Sequence, residues 1–387
     1  METIIHPYHP KRSLLLLEYR NTSNKTSLQP FASPPNVLLF VGGLYDNFRS
    51  PRYVDDLAAL FPRDVADQTW RVMHVQLSSN GRGWGLFDLD RDVGEIAAAI
   101  TYIRDTITES PSTPVVLMGH STGCQDIMHY LVSPVATSSS PRPTISGAIL
   151  QAPVSDREAI LHATSESAAT KDGYDSLLQI ASSTPKEKHK TTVLPMDLTT
   201  PIFGSAAVTI FRFLSLASPT SPEDPEMDDY YSSDLSDQRL RETFGRIGAV
   251  GHFQPSSQVG KKSLLVLQGA DDKSIPPTVN KAHLLSRWKA ALESSAEATL
   301  SPHSAIIPHA VHDISGSTNE TRRARLVVMR GAVLKYLQDM VGGIDSPPGP
   351  DDDSARRPWA ILQRDLSGIE SGDNAKGQGA DASTSRL

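Results

Sequence analysis

Residues 115–123, Val-Val-Leu-Met-Gly-His-Ser-Thr-Gly, are the most informative stretch of this chain. The first four form an uninterrupted apolar run, which is typical of a parallel strand covered on both faces. Beyond the run, Ile127, Met128 and Leu131 fall on one helical face, and no proline interrupts the segment before Pro134. The pattern therefore predicts a strand, a tight turn that carries Ser121, and a helix.

A serine between two glycines at such a turn is the nucleophile elbow of an α/β-hydrolase. The glycines are needed because side chains beside the sharp turn would collide with neighbouring strands. A serine in an ordinary glycine turn is the alternative, and the flanking strand and helix disfavour it. The predicted fold class is α/β: an α/β-hydrolase fold with a mostly parallel sheet, helices on both faces and a cap insertion.

The rest of the chain supplies the alternating elements that this fold requires. Strands are predicted at residues 13–19, 36–41, 69–77, 115–118, 145–151, 263–268 and 304–308. Helices are predicted at residues 53–61, 90–109, 122–132, 277–292 and 320–340.

The domain organisation follows from one unusually long connection. Residues 152–262 are far too many for a normal link between strands, so they are interpreted as a cap with helices near 156–182 and 205–217. The core is expected at 10–151 and 263–340. The acidic stretch 219–229 is interpreted as a solvated loop, and the Pro-, Gly-, Ser- and Asp-rich residues 345–387 as a disordered tail.

A serine is a poor nucleophile at neutral pH, so the reaction needs a base and an acid that orients the base. In this fold the acid precedes the histidine, and each follows a late strand. Asp272 is the predicted acid, since Ile275 and Pro276 follow it, and Asp271 is the alternative. His312 is the predicted base and His309 is the alternative.

The reaction also needs an oxyanion hole built from two backbone N–H groups. Thr122, directly after the nucleophile, is predicted to provide one of them. Leu44 is predicted to provide the other, because it follows the strand at 36–41 and a glycine pair that lets the main chain approach a substrate. Gly43 is the alternative donor, and a plain strand-ending turn is the reading that assigns this loop no function.

Composition fits a soluble enzyme. The chain has 387 residues, of which 39% are hydrophobic, and its net charge of −7 without a basic stripe argues against a nucleic-acid partner. The apolar run Leu14–Leu17 is too short for a signal peptide or a membrane span. The single cysteine, Cys124, excludes an internal disulfide and is expected to be a packed thiol. No metal or organic cofactor is expected.

Four segments together resemble a known family. They are Gly42–Leu44, Gly119–Gly123, Gln151–Ala159 (Gln-Ala-Pro-Val-Ser-Asp-Arg-Glu-Ala) and Tyr231–Asp237 (Tyr-Ser-Ser-Asp-Leu-Ser-Asp). The chain, over roughly residues 10–340, is similar to the fungal siderophore-esterase-like branch of the α/β-hydrolases. The elbow is common to many hydrolases, whereas the last two segments are particular to this branch.

The resemblance implies a serine esterase on the cytoplasmic side that opens ester bonds of a fusarinine-type hydroxamate siderophore and so aids iron release. The implied partner is a small-molecule ester, an iron-loaded siderophore being one, with any iron belonging to the substrate. Two alternatives stay open. One is an ester, lactone or acyl-CoA thioester hydrolase of a secondary-metabolite pathway, and the other is a non-catalytic binding protein on the same fold.

The residues Ser385-Arg386-Leu387 are a close variant of the Ser-Lys-Leu peroxisomal address. They predict recognition by the peroxisomal import receptor, and the cytoplasm is the alternative location. A fluorescent protein fused before residue 1 is expected to give punctate signal that coincides with a peroxisomal marker. Removing the last three residues is expected to make the signal diffuse, and diffuse signal from both fusions would reject the peroxisomal address.

Overall fold

The computed structural model describes residues 2–20, 34–61, 64–65, 68–134, 142–315 and 318–341. Ten strands in these residues form one sheet. They are β1 (Glu2–His9), β2 (Leu14–Arg20), β3 (Asn36–Val41), β4 (Asp64–Val65), β5 (Gln68–Val75), β6 (Val115–His120), β7 (Gly147–Gln151), β8 (Lys262–Gly269), β9 (Ala298–Leu300) and β10 (Ala305–Ile307). The predicted tail at 345–387 and its terminal tripeptide lie outside the described residues.

The main path through the sheet is β1-β2-β5-β3-β6-β7-β8-β10. Every neighbouring pair along this path from β5 to β10 is parallel. At the other edge of the sheet, β2 pairs antiparallel with β5, and β1 pairs antiparallel with β2. The short strands β4 and β9 pair with β5 and β8, respectively. Parallel strands place their carboxyl ends at one edge, so the loops that follow β3, β6, β8 and β10 meet there.

The α-helices of the described residues are α1 (Tyr53–Leu60), α2 (Leu89–Tyr102), α3 (Gly123–Val132), α4 (Asp156–Glu166), α5 (Ala168–Ser183), α6 (Met196–Phe203), α7 (Ile210–Ala217), α8 (Asp237–Thr243), α9 (Lys281–Leu292) and α10 (Asn319–Val341). None of these helices combines the length and apolar character needed to cross a membrane.

Side chains of the central strands alternate between two buried layers. Val115 and Leu117 pack into the layer that contains residues of α2, α3 and α9, whereas Val116 and Met118 pack into the layer with α1 and α10. Because both faces are covered, the strand is apolar at every position rather than at every second one. The predicted α/β fold with helices on both faces is confirmed.

The structure corrects several predicted elements. Strand β1 was not predicted because its side chains are largely exposed and do not form a continuous apolar run. The helix predicted over 156–182 is two helices, since Ser167 leaves the helical conformation and its side chain accepts from the N–H of Thr170 at the start of α5. The helix predicted from 205 begins at Ile210, and α6 and α8 were not predicted.

The acidic stretch at 219–229 is not a solvated loop throughout, which corrects the sequence interpretation. The side chains of Asp228 and Asp229 are buried. Asp228 accepts hydrogen bonds from Arg212 on α7 and from Ser215, and Asp229 accepts from Ser221 at 2.6 Å. The two carboxylates can be buried because hydrogen bonds from a buried guanidinium and from hydroxyl groups replace their hydrogen bonds to water.

Replacing Arg212 with alanine is expected to lower the free energy of unfolding by about 3–5 kcal/mol, because the variant leaves Asp228 buried without its cation. Urea unfolding followed by circular dichroism measures the change. Lys171→Ala is the matched control, since Lys171 forms an exposed pair with Asp175 and is expected to cost less than about 0.5 kcal/mol. Equal effects of the two variants would contradict the structural role of Arg212.

Candidate active site

Ser121 lies at the sharp turn between β6 and α3, with a left-handed φ of 54°. The turn is possible because the residues that pack closely against other backbone atoms are glycines, which have no Cβ. A Cβ at Gly119 would lie 2.4 Å from the carbonyl oxygen of Gly123, and one at Gly123 would lie 2.5 Å from the carbonyl oxygen of Val41. Any side chain at either glycine would force the turn apart, so the sequence requires glycine on both sides of the serine.

One chain of hydrogen bonds joins Ser121, His312 and Asp272. The His312 Nε2 atom is 2.8 Å from Ser121 Oγ, and His312 Nδ1 is 2.8 Å from Asp272 Oδ2. A carboxylate can only accept, so Nδ1 carries the proton and Nε2 accepts from the serine hydroxyl. His312 comes from the loop after β10 and Asp272 from the loop after β8, so the predicted triad residues meet at the carboxyl edge of the sheet.

The pair of Asp272 and His312 shifts the pKa of both groups. Burial alone would raise the pKa of Asp272, but its hydrogen bond with His312 and the charge of that ring outweigh burial and lower it. Burial alone would lower the pKa of His312, but the hydrogen bond and charge of Asp272 outweigh burial and raise it. The acid is thus held ionised, and the imidazole is made a stronger base.

A lysine side chain fixes the conformation of the loop that carries Asp272. Lys281 Nζ donates to the carbonyl oxygens of Gly269, Ala270 and Asp272 at 3.0, 2.7 and 3.2 Å. The N–H of Ser274 also donates to Asp272 Oδ1 at 2.9 Å. These bonds leave Oδ2 of Asp272 directed at the histidine.

The alternative acid and base, Asp271 and His309, contact each other and not Ser121. His309 Nδ1 is 3.4 Å from Asp271 Oδ2, and the two side chains are 46% and 55% exposed. Neither makes a hydrogen bond to Ser121 among the described residues. They form an exposed contact beside the site, of a kind that contributes little to stability.

The loop after β3 lies directly against the elbow. A Cβ at Gly43 would lie 2.8 Å from Ser121 Cβ and 3.2 Å from the nitrogen of Thr122. The N–H of Gly43 donates to Asp46 Oδ2 at 2.8 Å, so this alternative oxyanion donor is already engaged. Within the described residues, the N–H groups of Leu44 and Thr122 donate no hydrogen bond, which leaves the two predicted donors available on either side of Ser121.

Sequence reasoning missed a buried polar group beneath the triad. His120 Nδ1 donates to Gln151 Oε1 at 2.5 Å, and the hydroxyl of Tyr53 donates to the same oxygen at 2.7 Å. Gln151 Nε2 in turn donates to the carbonyl oxygen of His312 at 3.3 Å. A glutamine at the end of an otherwise apolar buried strand was the available signal.

The single cysteine, Cys124, has a structural role, as predicted. Cys124 is a packed thiol whose Sγ lies 3.4 and 3.2 Å from the carbonyl oxygens of Gly119 and Gln151, and burial raises its pKa. A thiol with a raised pKa is a poor nucleophile. In the described part of the chain, no three His, Cys, Asp or Glu side chains are arranged to hold a metal ion.

The two segments most particular to the resemblance contact each other. The hydroxyl of Ser155 is 2.6 Å from that of Ser232, and Arg157 forms an ion pair with Asp234 at 2.6 Å. The N–H of Ser233 also donates to Glu158 Oε1 at 3.0 Å. The contacts tie the beginning of α4, just beyond β7, to residues 232–234, so both segments act as one structural unit.

Comparison with known proteins identifies the family to which this chain belongs. The model of the family described as "Protein of unknown function (DUF1749)" matches residues 1–338. A fusarinine C esterase of Aspergillus fumigatus is 37% identical over 360 residues, which cover 86% of this chain and 95% of the relative. An esterase of Emericella nidulans is 33% identical over 372 residues, with 87% and 96% covered.

Among solved structures, a siderophore hydrolase from Aspergillus fumigatus superposes with a TM-score of 0.72 at 36% identity. The match covers 88% of this chain and 98% of that structure. The resemblance to the siderophore-esterase-like α/β-hydrolases is therefore confirmed. This chain belongs to the family described as "Protein of unknown function (DUF1749)".

Proposed function

We propose that this member of the family is a serine esterase that hydrolyses the ester bonds of a fusarinine-type hydroxamate siderophore. The observation that carries the chemistry is the chain of two 2.8 Å contacts from Ser121 through His312 to Asp272. The substrate class comes from the relatives, two of which are named a fusarinine C esterase and a siderophore hydrolase. Release of iron from the opened siderophore is the proposed biological role.

In the proposed mechanism Ser121 attacks the ester carbonyl carbon while His312 Nε2 removes its proton. Asp272 holds the imidazole in the required tautomer and stabilises the imidazolium that forms. The N–H groups of Leu44 and Thr122 donate to the oxyanion of the tetrahedral intermediate. His312 then returns the proton to the leaving alcohol, and the acyl group stays on Ser121.

Water completes the cycle with His312 again as base. The imidazole removes a proton from the water that attacks the acyl-enzyme, and Ser121 regains it when the second tetrahedral intermediate collapses. All of these proton transfers use residues of this chain. Iron, when present, belongs to the substrate.

We also propose that residues 152–262 act as a cap over the site. Helices α4 to α7 contribute most of a separate apolar cluster that includes Trp84, Tyr174, Phe203 and Phe213. Leu44 and its neighbour Tyr45 pack against this cluster, and the Tyr45 hydroxyl donates to the carbonyl oxygen of Phe203. The loop with the proposed oxyanion donor is thus in contact with the insertion.

The substrate proposal is tested by incubating the enzyme with a purified fusarinine-type siderophore and reading the product masses. Acyl-CoA thioesters and simple aryl esters serve as parallel substrates, and the Ser121→Ala variant is the matched control. Each hydrolysed siderophore ester is expected to add the mass of one water. Cleavage of acyl-CoA or aryl esters without any siderophore cleavage would overturn the proposed substrate while leaving the serine hydrolase chemistry intact.

The pH dependence of kcat/KM should show one acid limb that follows the titration of His312. His312 must be neutral to accept the serine proton, so activity falls as pH drops through its pKa. Because Asp272 raises that pKa above 6.5, the midpoint is expected on the alkaline side of 6.5. Initial rates on an aryl ester between pH 5 and 9 measure the limb, and a midpoint well below 6.5 would contradict the pairing.

A further inference from the structure

The turn that follows β3 is closed by the side chain of Asp46. The Oδ2 atom of Asp46 accepts from the N–H of Gly43 at 2.8 Å, and the N–H of Asp46 donates to the carbonyl oxygen of Gly43 at 3.1 Å. The first bond holds the peptide between Gly42 and Gly43, and the second holds the peptide between Gly43 and Leu44. Because the N–H of Gly43 is taken, the N–H of Leu44 is the one left for a substrate oxygen.

Asp46 is itself held from two other directions. Its Oδ1 atom accepts from the hydroxyl of Ser50 at 2.7 Å, and its carbonyl oxygen accepts from the N–H of Gly81 at 2.9 Å. The side chain is 12% exposed, and its Cβ would lie 2.8 Å from a Cβ built at Gly42. The turn therefore cannot swing away from the elbow without breaking several bonds of one residue.

The same carboxylate faces the histidines of the site. Asp46 Oδ2 is 3.9 Å from His120 Nε2, and the His120 ring centroid is 4.9 Å from that of His312. Burial lowers the pKa of His120 and outweighs the charge of Asp46, which acts to raise it. The negative charges that act on His312 and raise its pKa are those of Asp272, Asp46 and Asp313, with Asp272 the strongest.

We infer that Asp46 is a positioning residue for the proposed esterase reaction: it holds the turn at 42–46 so that the N–H of Leu44 meets the oxyanion, and its charge supports the imidazolium of His312. The inference rests on the proposed function, because it needs an oxyanion that forms at Ser121. It goes beyond the triad, since Asp46 touches neither the nucleophile nor the base. No motif signal at residue 46 reveals the role; the contact with Gly43 does.

The test compares three variants on one aryl ester. Asp46→Ala removes the acceptor for the Gly43 N–H and is expected to lower kcat about 100-fold, with KM within about threefold of wild type. Asp46→Asn keeps an oxygen that can accept from Gly43, so it is expected to retain kcat within about tenfold. Both variants remove the charge and should move the acid limb of kcat/KM to lower pH.

Asp313→Asn is the matched control for charge. It removes a carboxylate that also acts on His312 but makes no hydrogen bond to the 42–46 turn, so it should shift the acid limb without lowering kcat. A folded Asp46→Ala enzyme with wild-type kcat would overturn the inference. If Asp46→Ala does not fold, Asp46→Asn decides, and an unmoved acid limb in that variant would reject the support of the imidazolium by Asp46 and with it the inference as stated. A wild-type enzyme that hydrolyses no ester would instead overturn the proposed function and this inference with it.

Discussion

Replacing Ser121 with alanine is expected to lower kcat by about four to six orders of magnitude while the protein stays folded. The alanine removes the oxygen that forms the acyl-enzyme, and no other group described near His312 can replace it. Cys124 cannot, because its thiol is buried and bonded to backbone carbonyls of Gly119 and Gln151. Initial rates on an aryl ester and on the siderophore measure the loss.

Circular dichroism and thermal unfolding provide the control for folding. Alanine can adopt the left-handed φ of 54° at some cost, so a small decrease in stability is expected with the fold retained. Retention of more than roughly a few per cent of wild-type activity by a folded Ser121→Ala protein would show that the reaction does not pass through this residue.

The second large effect concerns the base and its acid. His312→Ala is expected to lower kcat about as much as the serine variant, since the two residues act as one unit. Asp272→Asn should cost about a few thousandfold, because an amide at this position favours the wrong imidazole tautomer. Steady-state rates of both variants at a fixed pH above the acid limb give these values.

The neighbouring pair supplies matched controls. His309→Ala and Asp271→Asn change the same residue types one to three positions away, and both side chains are about half exposed. We expect each of these variants to keep kcat within about threefold, because neither side chain touches Ser121 or His312. A large loss for His309→Ala or Asp271→Asn, with mild effects at His312 and Asp272, would reassign the base and the acid.

The elbow could be predicted from sequence because its constraints are local. A buried strand, two glycines and a helix occupy consecutive positions, and only glycine tolerates the close backbone approach at Gly119 and Gly123. The sequence also showed an acid and then a histidine, each directly after a late predicted strand. Which aspartate points inward was harder to predict, since Ser274, two positions on, and Lys281, nine positions on, set the conformation of the loop.

What the sequence could not reveal depends on contacts between distant segments. Asp228 is in an acidic loop that resembles a solvated one, and its burial follows from Arg212 on a separate helix. Gln151 and Tyr53 meet beneath the elbow although 98 positions separate them. Propensity and periodicity carry no information about such pairs, and Pro201 interrupts the helical pattern of α6, whereas α8 spans only seven residues.

The most direct measurement is the intact mass and peptide map of the wild-type enzyme after treatment with a fluorophosphonate. The geometry at Ser121 predicts one covalent adduct per chain, on the peptide that contains Ser121, with loss of activity in proportion to labelling. The Ser121→Ala and His312→Ala variants are expected to show little labelling under the same conditions. An adduct on another residue, or full labelling of the Ser121→Ala protein, would contradict the assignment of Ser121 as the nucleophile.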